Sequence, residues 1–157
     1  MRDGVRIEGS RELQRAFARM GDDVRQAAGV AVKETAQELE GAVKLKIQQG
    51  TKTGRVYDTL FFTAANGKVI PYGSRPRHKA SAPGEAPASD TGTLIGSIYH
   101  EREGDLTYAV GTRLGYAEYL EYGTSRMAAR PFFRPAVEQI KPVYLGRLER
   151  IIGEAMQ

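Results

Sequence analysis

The sequence predicts an α+β fold in which a small antiparallel sheet is packed by a long N-terminal helix and a C-terminal helix. Apolar residues recur at steps of three and four between residues 10 and 49, which is the period of a helix with one buried face. Strand-forming residues dominate 55–73 and 98–112, and a second helical pattern fills about 135–155. A chain of 157 residues has the length of one ordinary domain, so we expect residues 1–157 to form a single domain.

The N-terminal apolar stripe predicts two helices. Gly21-Asp22-Asp23 interrupts the stripe: a glycine costs about 1 kcal/mol in a helix interior, whereas an aspartate can cap a new helix. We therefore expect a short helix near 10–20 and a longer one near 22–48, with Gly50 as the stop signal.

A protruding arm of hairpin and loop is predicted at 55–90. Asn66-Gly67 stands between two segments rich in β-branched and aromatic residues, and this dipeptide favours a hairpin because both turn residues take a positive φ. Pro71 cannot donate to a strand ladder, so the second strand should lie at an edge or end there. Residues 73–90 follow as an irregular loop rich in proline.

The second half of the chain supplies the remaining predicted elements. Residues 94–98 indicate a helical turn that runs into a strand, and a second hairpin turns at 103–105. A short helix is expected at 114–122. The C-terminal helix has Pro135 in its first turn, and Pro142 should start or kink a segment within it.

Composition excludes several kinds of catalytic and metal site. The chain has no cysteine and two histidines, His78 and His100, which we interpret as a solvated loop residue and a half-exposed strand residue. No phosphate-binding loop, nucleophile elbow or zincin motif is present. Glu118 and Glu121 are spaced so that they could form the paired carboxylates of a hydrolase, but an exposed or interfacial polar face is favoured. We therefore expect no enzymatic activity, no cofactor and no metal.

The formal net charge of +4 is concentrated in the middle of the chain. Residues 51–90 carry 6 basic and 3 acidic groups, whereas the flanking segments are nearly balanced. Arg75, Arg77 and Lys79 are the DNA-facing candidates, because exposed cations neutralise phosphates without reading base sequence. The alternative is a solvated loop that keeps the protein soluble. A domain-wide DNA-binding face would carry more charge than this.

The segment 116–136 is the candidate for protein–protein contact, because tyrosine, phenylalanine and arginine are enriched at protein interfaces. The interface candidates are Tyr116, Tyr119, Tyr122, Arg126, Arg130, Phe132, Phe133 and Arg134. The alternative is a core corner in which Phe132 and Phe133 plug the space between helix and sheet, and the two interpretations can hold for different residues.

Four features, in this order, resemble the tail-component family of long-tailed bacteriophages and prophages, also described as neck or tail-completion proteins. They are an amphipathic N-terminal helix, APGEAPASDTGTLIGSI at 82–98, YAEYLEYGT at 116–124, and ARPFFRPA at 129–136 leading into a C-terminal helix. The chain departs from the family pattern in the inserted hairpin at 55–73.

The resemblance implies a structural virion protein that forms a closed ring, with six copies as the expected number, at the head–tail junction or the upper end of the tail. The implied partners are further copies of the chain, neighbouring head–tail connector and tail proteins, and genome DNA passing through the lumen without sequence specificity. We expect no membrane contact, and assembly in the host bacterial cytoplasm. The competing interpretation, motivated by the central positive charge, is a small basic nucleic-acid-binding protein in the host cytoplasm.

Overall fold

The computed structural model describes residues 4–8, 21–57, 61–71, 78–89 and 91–155. Its elements are, in chain order, β1 (Gly4–Glu8), α1 (Asp22–Gln49), β2 (Val56–Tyr57), β3 (Phe61–Thr63), β4 (Val69–Pro71), β5 (His78–Lys79), α2 (Thr93–Ser97), β6 (Ile98–Gly104), β7 (Thr107–Thr112), α3 (Tyr116–Tyr122) and α4 (Phe133–Ala155). This is the predicted α+β class. The helix predicted near 10–20 lies outside the described residues.

The main sheet has three antiparallel strands in the order β1, β7, β6. The hairpin β6–β7 has the predicted position, and its register shifts between Arg102 and Gly104, just before the turn. On the other side of β7, Val5 of β1 is opposite Val110. The strand β1 was not predicted from the sequence, and it moves β7 from an edge to the centre of the sheet.

The predicted hairpin around Asn66-Gly67 is confirmed as the antiparallel pair β3–β4. The prediction that both turn residues take a positive φ is wrong for Asn66: Gly67 has a φ of +77°, and Asn66 does not have a positive φ. The Asn66 side chain instead accepts a hydrogen bond from the Lys68 backbone N–H at 3.0 Å. The strand β4 ends at Pro71, as the missing N–H donor of proline predicts. A second pair, β2–β5, joins the two ends of the segment that contains this hairpin.

The core lies between α1, the hairpin β6–β7 and the beginning of α4. The buried residues of α1 follow the predicted stripe: Ala28, Ala31, Val32, Thr35, Ala36, Leu39, Val43 and Ile47. Of these, Ala36, Leu39, Val43 and Ile47 meet Ile98 and Val110 from the sheet and Phe132 from the chain before α4 in one apolar cluster. Each Å² of apolar surface removed from water stabilises the fold by about 25 cal/mol, and this burial holds the two long helices on the sheet.

The helix α4 runs without interruption through Pro142, so this proline does not start a new segment. Proline removes the N–H that would bond to the carbonyl group of Glu138. Both residues are exposed, so water can satisfy that carbonyl group and the helix continues.

The loop at 80–89, the last part of the predicted arm, lies against the core. Ser81 is buried, Ala86 packs on the main apolar cluster, and the Gly54 backbone N–H donates to the Ala80 carbonyl group at 3.0 Å. We therefore call residues 61–71 alone the hairpin arm.

Candidate assembly surface

The short helix α3 has one side with solvent-exposed tyrosines and another side that is buried. Tyr116, Tyr119 and Tyr122 are 46%, 56% and 76% exposed, whereas Ala117 is buried and Leu120 packs on the core. The spacing of three residues places the three tyrosines on one side of the helix. We call these three side chains the tyrosine surface.

A buried carboxylate fixes α3 to the start of α4. The Glu121 side chain is 9% exposed, and its Oε2 accepts hydrogen bonds from the backbone N–H groups of Phe132 and Phe133 at 2.8 and 2.9 Å. Its Oε1 accepts a third, from the Arg134 N–H at 2.8 Å. The first N–H groups of a helix have no partner within it, and negative charge is favourable there. Glu121 therefore caps α4 from another helix.

A glycine makes the sharp exit from α3 possible. Gly123 has a φ of +78°, and its N–H donates to the Tyr119 carbonyl group at 2.9 Å. A Cβ atom at this position would lie 2.7 Å from the Met127 carbonyl oxygen and 2.8 Å from the Ala129 nitrogen. The chain then closes a tight turn, in which the Thr124 N–H donates to the Met127 carbonyl group at 2.8 Å.

The structure places two of the eight interface candidates in the interior of the fold. Phe132 is 0% exposed and Phe133 is 8% exposed, with ring centroids 5.1 Å apart. These two rings occupy the core corner that was the alternative interpretation. Arg126 and Arg134 are exposed, and Arg134 makes a 3.4 Å contact with Glu138, which is also exposed, so this ion pair contributes little to stability.

The remaining candidate, Arg130, is half-buried beside α3. Its backbone N–H donates to the Leu120 carbonyl group at 2.6 Å, and its Nη1 donates to the hydroxyl group of Ser81 at 2.9 Å. Its Nε is buried, and no acceptor for it exists among the described residues. This combination of a fixed guanidinium and an unused donor was not visible in the sequence.

Arg130 lines an open groove of about 230 Å³ next to the tyrosine surface. Tyr116 and Leu120 of α3 line it together with residues from β5 and from both sides of position 90. The lining residues are His78, Ala80, Pro87, Ala88, Ser89, Thr91, Gly92, Thr93, Leu94, Tyr116, Leu120 and Arg130. We call this the Arg130 groove. His78 is thus a half-buried strand and groove residue, whereas the sequence predicted a solvated loop histidine.

Of the three DNA-facing candidates, Lys79 is exposed at the end of β5, and Arg75 and Arg77 lie outside the described residues. The two proposed hydrolase carboxylates are not presented together, because Glu118 is exposed whereas both oxygens of Glu121 bind backbone N–H groups. Among the described residues, no group of histidine and carboxylate side chains is arranged to hold a metal ion. None of the described helices has the length and apolar character needed to cross a membrane.

His100 is half-exposed on β6, as predicted, and its Nδ1 contacts a carboxylate on α1. Burial raises the pKa of that carboxylate, Glu40, but hydrogen bonds from His100 and Lys44 outweigh the burial and the pKa is lowered below its ordinary value. This polar contact ties β6, at the edge of the sheet, to α1.

The family model described as "Bacteriophage HK97-gp10, putative tail-component" matches residues 11–123 of the chain. The matched part includes α1, the hairpin arm, the three elements from α2 to β7, and the whole of α3. It ends at Gly123, so it includes Glu121, which caps α4, but not α4 itself. No curated protein and no solved structure matches the chain.

Proposed function

This chain belongs to the HK97-gp10-like family of bacteriophage tail components, and on that premise we propose that it forms a closed homo-oligomeric ring at the head–tail junction or the upper end of the tail. A tail component is a structural protein of the virion and works in contact with other tail proteins. The proposal adds to this a ring of copies around the DNA path.

The tyrosine surface is the observation that carries the proposal. Three large, amphipathic side chains are exposed on a helix that is itself held from inside by Glu121. Tyrosine is enriched among the residues that dominate binding energy, and it loses little conformational entropy when buried. A rigid, aromatic and solvent-exposed helix face supports contact with a second protein surface.

A ring needs a head-to-tail contact between two different surfaces of each copy, repeated until it closes. Six copies is the number we propose, with genome DNA in the lumen. Arg75, Arg77 and Lys79 are proposed to face that lumen, because phosphate contacts of this kind are independent of base sequence and weaken with salt. Weak attraction suits a channel through which DNA must move.

Native mass measurement of the purified chain tests the ring. We expect one closed oligomer for the natural sequence, and its loss in the double variant Tyr119→Ser, Tyr122→Ser. The matched control is Val143→Ser, Leu145→Ser, which removes two apolar side chains that are 45% and 46% exposed on α4. The control variant should assemble like the natural protein.

A monomer or dimer that binds DNA in a salt-sensitive way would contradict the ring and would favour the small nucleic-acid-binding protein.

The assignment of Arg75, Arg77 and Lys79 to the lumen has its own test. Replacing Arg75, Arg77 and Lys79 by glutamine should leave the oligomer intact and change the salt dependence of DNA retention in assembled particles. A particle reconstruction with these three side chains on the outer rim would refute it.

A further inference from the structure

We infer that Arg130 is a positioning residue for assembly: it fastens α3 to the loop at 80–89 and so sets the orientation of the tyrosine surface. The Arg130 side chain need not touch a neighbouring copy to have this role. The inference rests on the proposed ring, and it names the contact within each copy that prepares the tyrosine surface for binding.

The helix α3 cannot set its own orientation. It has seven residues, and isolated helices of this length are at best marginally stable in water. Among the described residues, no side chain caps its N-terminus at Gly115. At its other end, Gly123 turns the chain away with a φ of +78°. The direction in which the three tyrosines point is therefore set by contacts between α3 and other parts of the fold.

Arg130 connects α3 to the loop through two different groups. Its backbone N–H donates to the Leu120 carbonyl group of α3 at 2.6 Å. Its Nη1 donates to the Ser81 hydroxyl group of the loop at 2.9 Å. The preceding residue is held by the same loop, because the Gly84 N–H donates to the Ala129 carbonyl group at 2.9 Å. The chain at this point is thus bonded to the loop on one side and to α3 on the other.

The Arg130 side chain is fixed within the fold and does not move freely through solvent. Ser81 is 2% exposed, so water has little access to the hydrogen bond between the two side chains. The Nε atom of Arg130 is buried as well. A hydrogen bond is stronger in such surroundings than in water, and the planar guanidinium presents its donors in a rigid arrangement. The contact therefore holds Arg130 in one orientation.

The loop that Arg130 binds is itself firmly held. Its Glu85 accepts hydrogen bonds from the backbone N–H and the hydroxyl group of Thr53, at 2.8 and 2.6 Å. The Gly54 N–H donates to the Ala80 carbonyl group at 3.0 Å. The loop is thus attached to the segment that follows α1, and Arg130 extends this attachment to α3.

A fixed tyrosine surface should bind a neighbouring copy more tightly than a mobile one. Ordering of side chains and short segments opposes association, and this cost falls when a surface already has its bound geometry. Loss of the hydrogen bond between Arg130 and Ser81 should therefore weaken association, while Glu121 and the buried ring of Phe132 keep the subunit folded. We expect a weakening of roughly tenfold, the usual effect of losing one hydrogen bond to a charged group.

Arg130→Met and Ser81→Ala test this role from the two sides of the hydrogen bond, and both keep the backbone bond to Leu120. The measurements are made at a temperature at which circular dichroism shows every variant folded. Each variant should raise the subunit concentration of half-assembly roughly tenfold, measured by native mass over a dilution series. Each should also speed the hydrogen exchange of the α3 backbone amides. The double variant should be no weaker than Arg130→Met, because both substitutions remove the same hydrogen bond.

Arg130→Lys and Arg150→Met are the matched controls. Lysine keeps a donor for the Ser81 hydroxyl group, so Arg130→Lys should bring the concentration of half-assembly back toward that of the natural protein. Arg150→Met makes the same chemical change at an exposed position of α4 and should assemble like the natural protein. A merely structural role would lower the melting temperature and leave the concentration of half-assembly of the folded chains unchanged.

Failure of this inference is distinguishable from failure of the ring. Half-assembly at the natural concentration in both Arg130→Met and Ser81→Ala would refute the positioning role and leave the ring standing. Ser81→Ala decides alone if Arg130→Met does not fold. A further weakening in the double variant would show that the two side chains act separately, and would also refute the role. A natural chain that stays monomeric over the whole dilution series would refute the ring and the role of Arg130 in assembly together.

Discussion

Glu121 is the side chain on which the geometry of the assembly surface depends most directly. It accepts three backbone hydrogen bonds from the start of α4 while lying at the inner side of α3. Hydrogen bonds to a charged acceptor each contribute about 1.5–3 kcal/mol, and buried donors left without a partner are costly. Glu121→Gln keeps the shape but loses the charge and one acceptor oxygen.

We therefore expect Glu121→Gln to lower the free energy of unfolding by about 2–4 kcal/mol, measured by chemical denaturation. Glu118→Gln is the matched control, since it makes the same chemical change at an exposed position three residues earlier and should stay within about 0.5 kcal/mol. Equal effects of the two substitutions would show that the cap has no energetic role.

Substitution of Gly123 tests how closely the backbone approaches itself in the turn after α3. Gly123→Ala adds a methyl group that would collide with backbone atoms 2.7 and 2.8 Å away, in a backbone conformation that non-glycine residues avoid. Gly84→Ala is the control: its φ is +83°, but nothing lies within 4 Å of the added Cβ. We expect Gly84→Ala to cost about 1–2 kcal/mol from conformation alone, and Gly123→Ala distinctly more. Similar melting temperatures for both would contradict the close approach.

The sequence predicted the residue types of the site better than their roles. The composition of 116–136 named the three tyrosines as interface candidates, and the structure shows them exposed. Glu118 and Glu121 are the same residue type on the same helix. Only the tertiary packing that buries Glu121 makes it the cap of α4. Arg130 likewise is held by Ser81, which lies 49 residues away in the sequence. Local pattern contains no information on such contacts.

At the scale of elements, Phe132 and Phe133 join α4 to the sheet and α1. Phe132→Ala removes a ring with no exposed surface, so we expect a loss of about 3–5 kcal/mol in the free energy of unfolding, measured by denaturant titration. Phe133→Ala should fall at the lower end of that range. Tyr122→Ala is the control, because its ring is 76% exposed and its loss should change stability by about 0.5 kcal/mol or less. An unchanged stability of Phe132→Ala would refute the core assignment.

The loop at 80–89 is held by a second carboxylate. Glu85 accepts hydrogen bonds from the Thr53 hydroxyl group at 2.6 Å and from the backbone N–H groups of Thr53 and Ala82, each at 2.8 Å. The Thr53 hydroxyl group, followed by these two N–H groups, lowers the pKa of Glu85 from 4.5 to about 2. The carboxylate thus fastens the loop to the segment after α1.

This lowered pKa predicts a pH dependence. A folded pKa below the unfolded one means that the unfolded chain binds the proton more readily, so the stabilisation is complete above pH 4.5 and is lost as the pH falls toward about 2. Glu85→Gln should therefore melt below the natural protein at neutral pH, and the difference should close over that acid range. A difference in melting temperature that persists unchanged at the acid end would contradict the proposed role of the carboxylate.

Elements with strong local signals were predictable, and those that depend on distant partners were not. The period of the apolar residues correctly predicted the helix α1, and the dipeptide Asn66-Gly67 correctly predicted the hairpin β3–β4. The strand β1 has five residues and no turn signal of its own, and it is a strand because it pairs with β7, about a hundred residues further along the chain. Pro142 is tolerated inside α4 because it is exposed, which the local pattern could not predict.

At the scale of the whole molecule, the start of α1 lies beside the end of α4, because Val24 and Ile152 pack on the same small cluster. The tyrosine surface and the Arg130 groove share Tyr116 and therefore form one continuous area. The proposed ring would need a second, different surface on each copy, and its closure would depend on the angle between neighbours. The hairpin arm is a third feature, since it forms a two-stranded sheet separate from the main one.

A two-stranded hairpin is marginally stable in water by itself, so the hairpin arm should gain order when a neighbouring protein covers it. Residues 65–68 at its turn are exposed, and trypsin can cut after Lys68. We expect rapid cleavage at Lys68 in the isolated subunit and slow cleavage in the assembled particle, measured by mass spectrometry of the fragments over time. Lys68→Gln is the control that identifies the site, because it should abolish this fragment pair and leave the other fragments unchanged. Since cleavage follows the population of accessible chain, equal rates in the two states would mean that the arm stays uncovered and that it has no part in contacts between subunits.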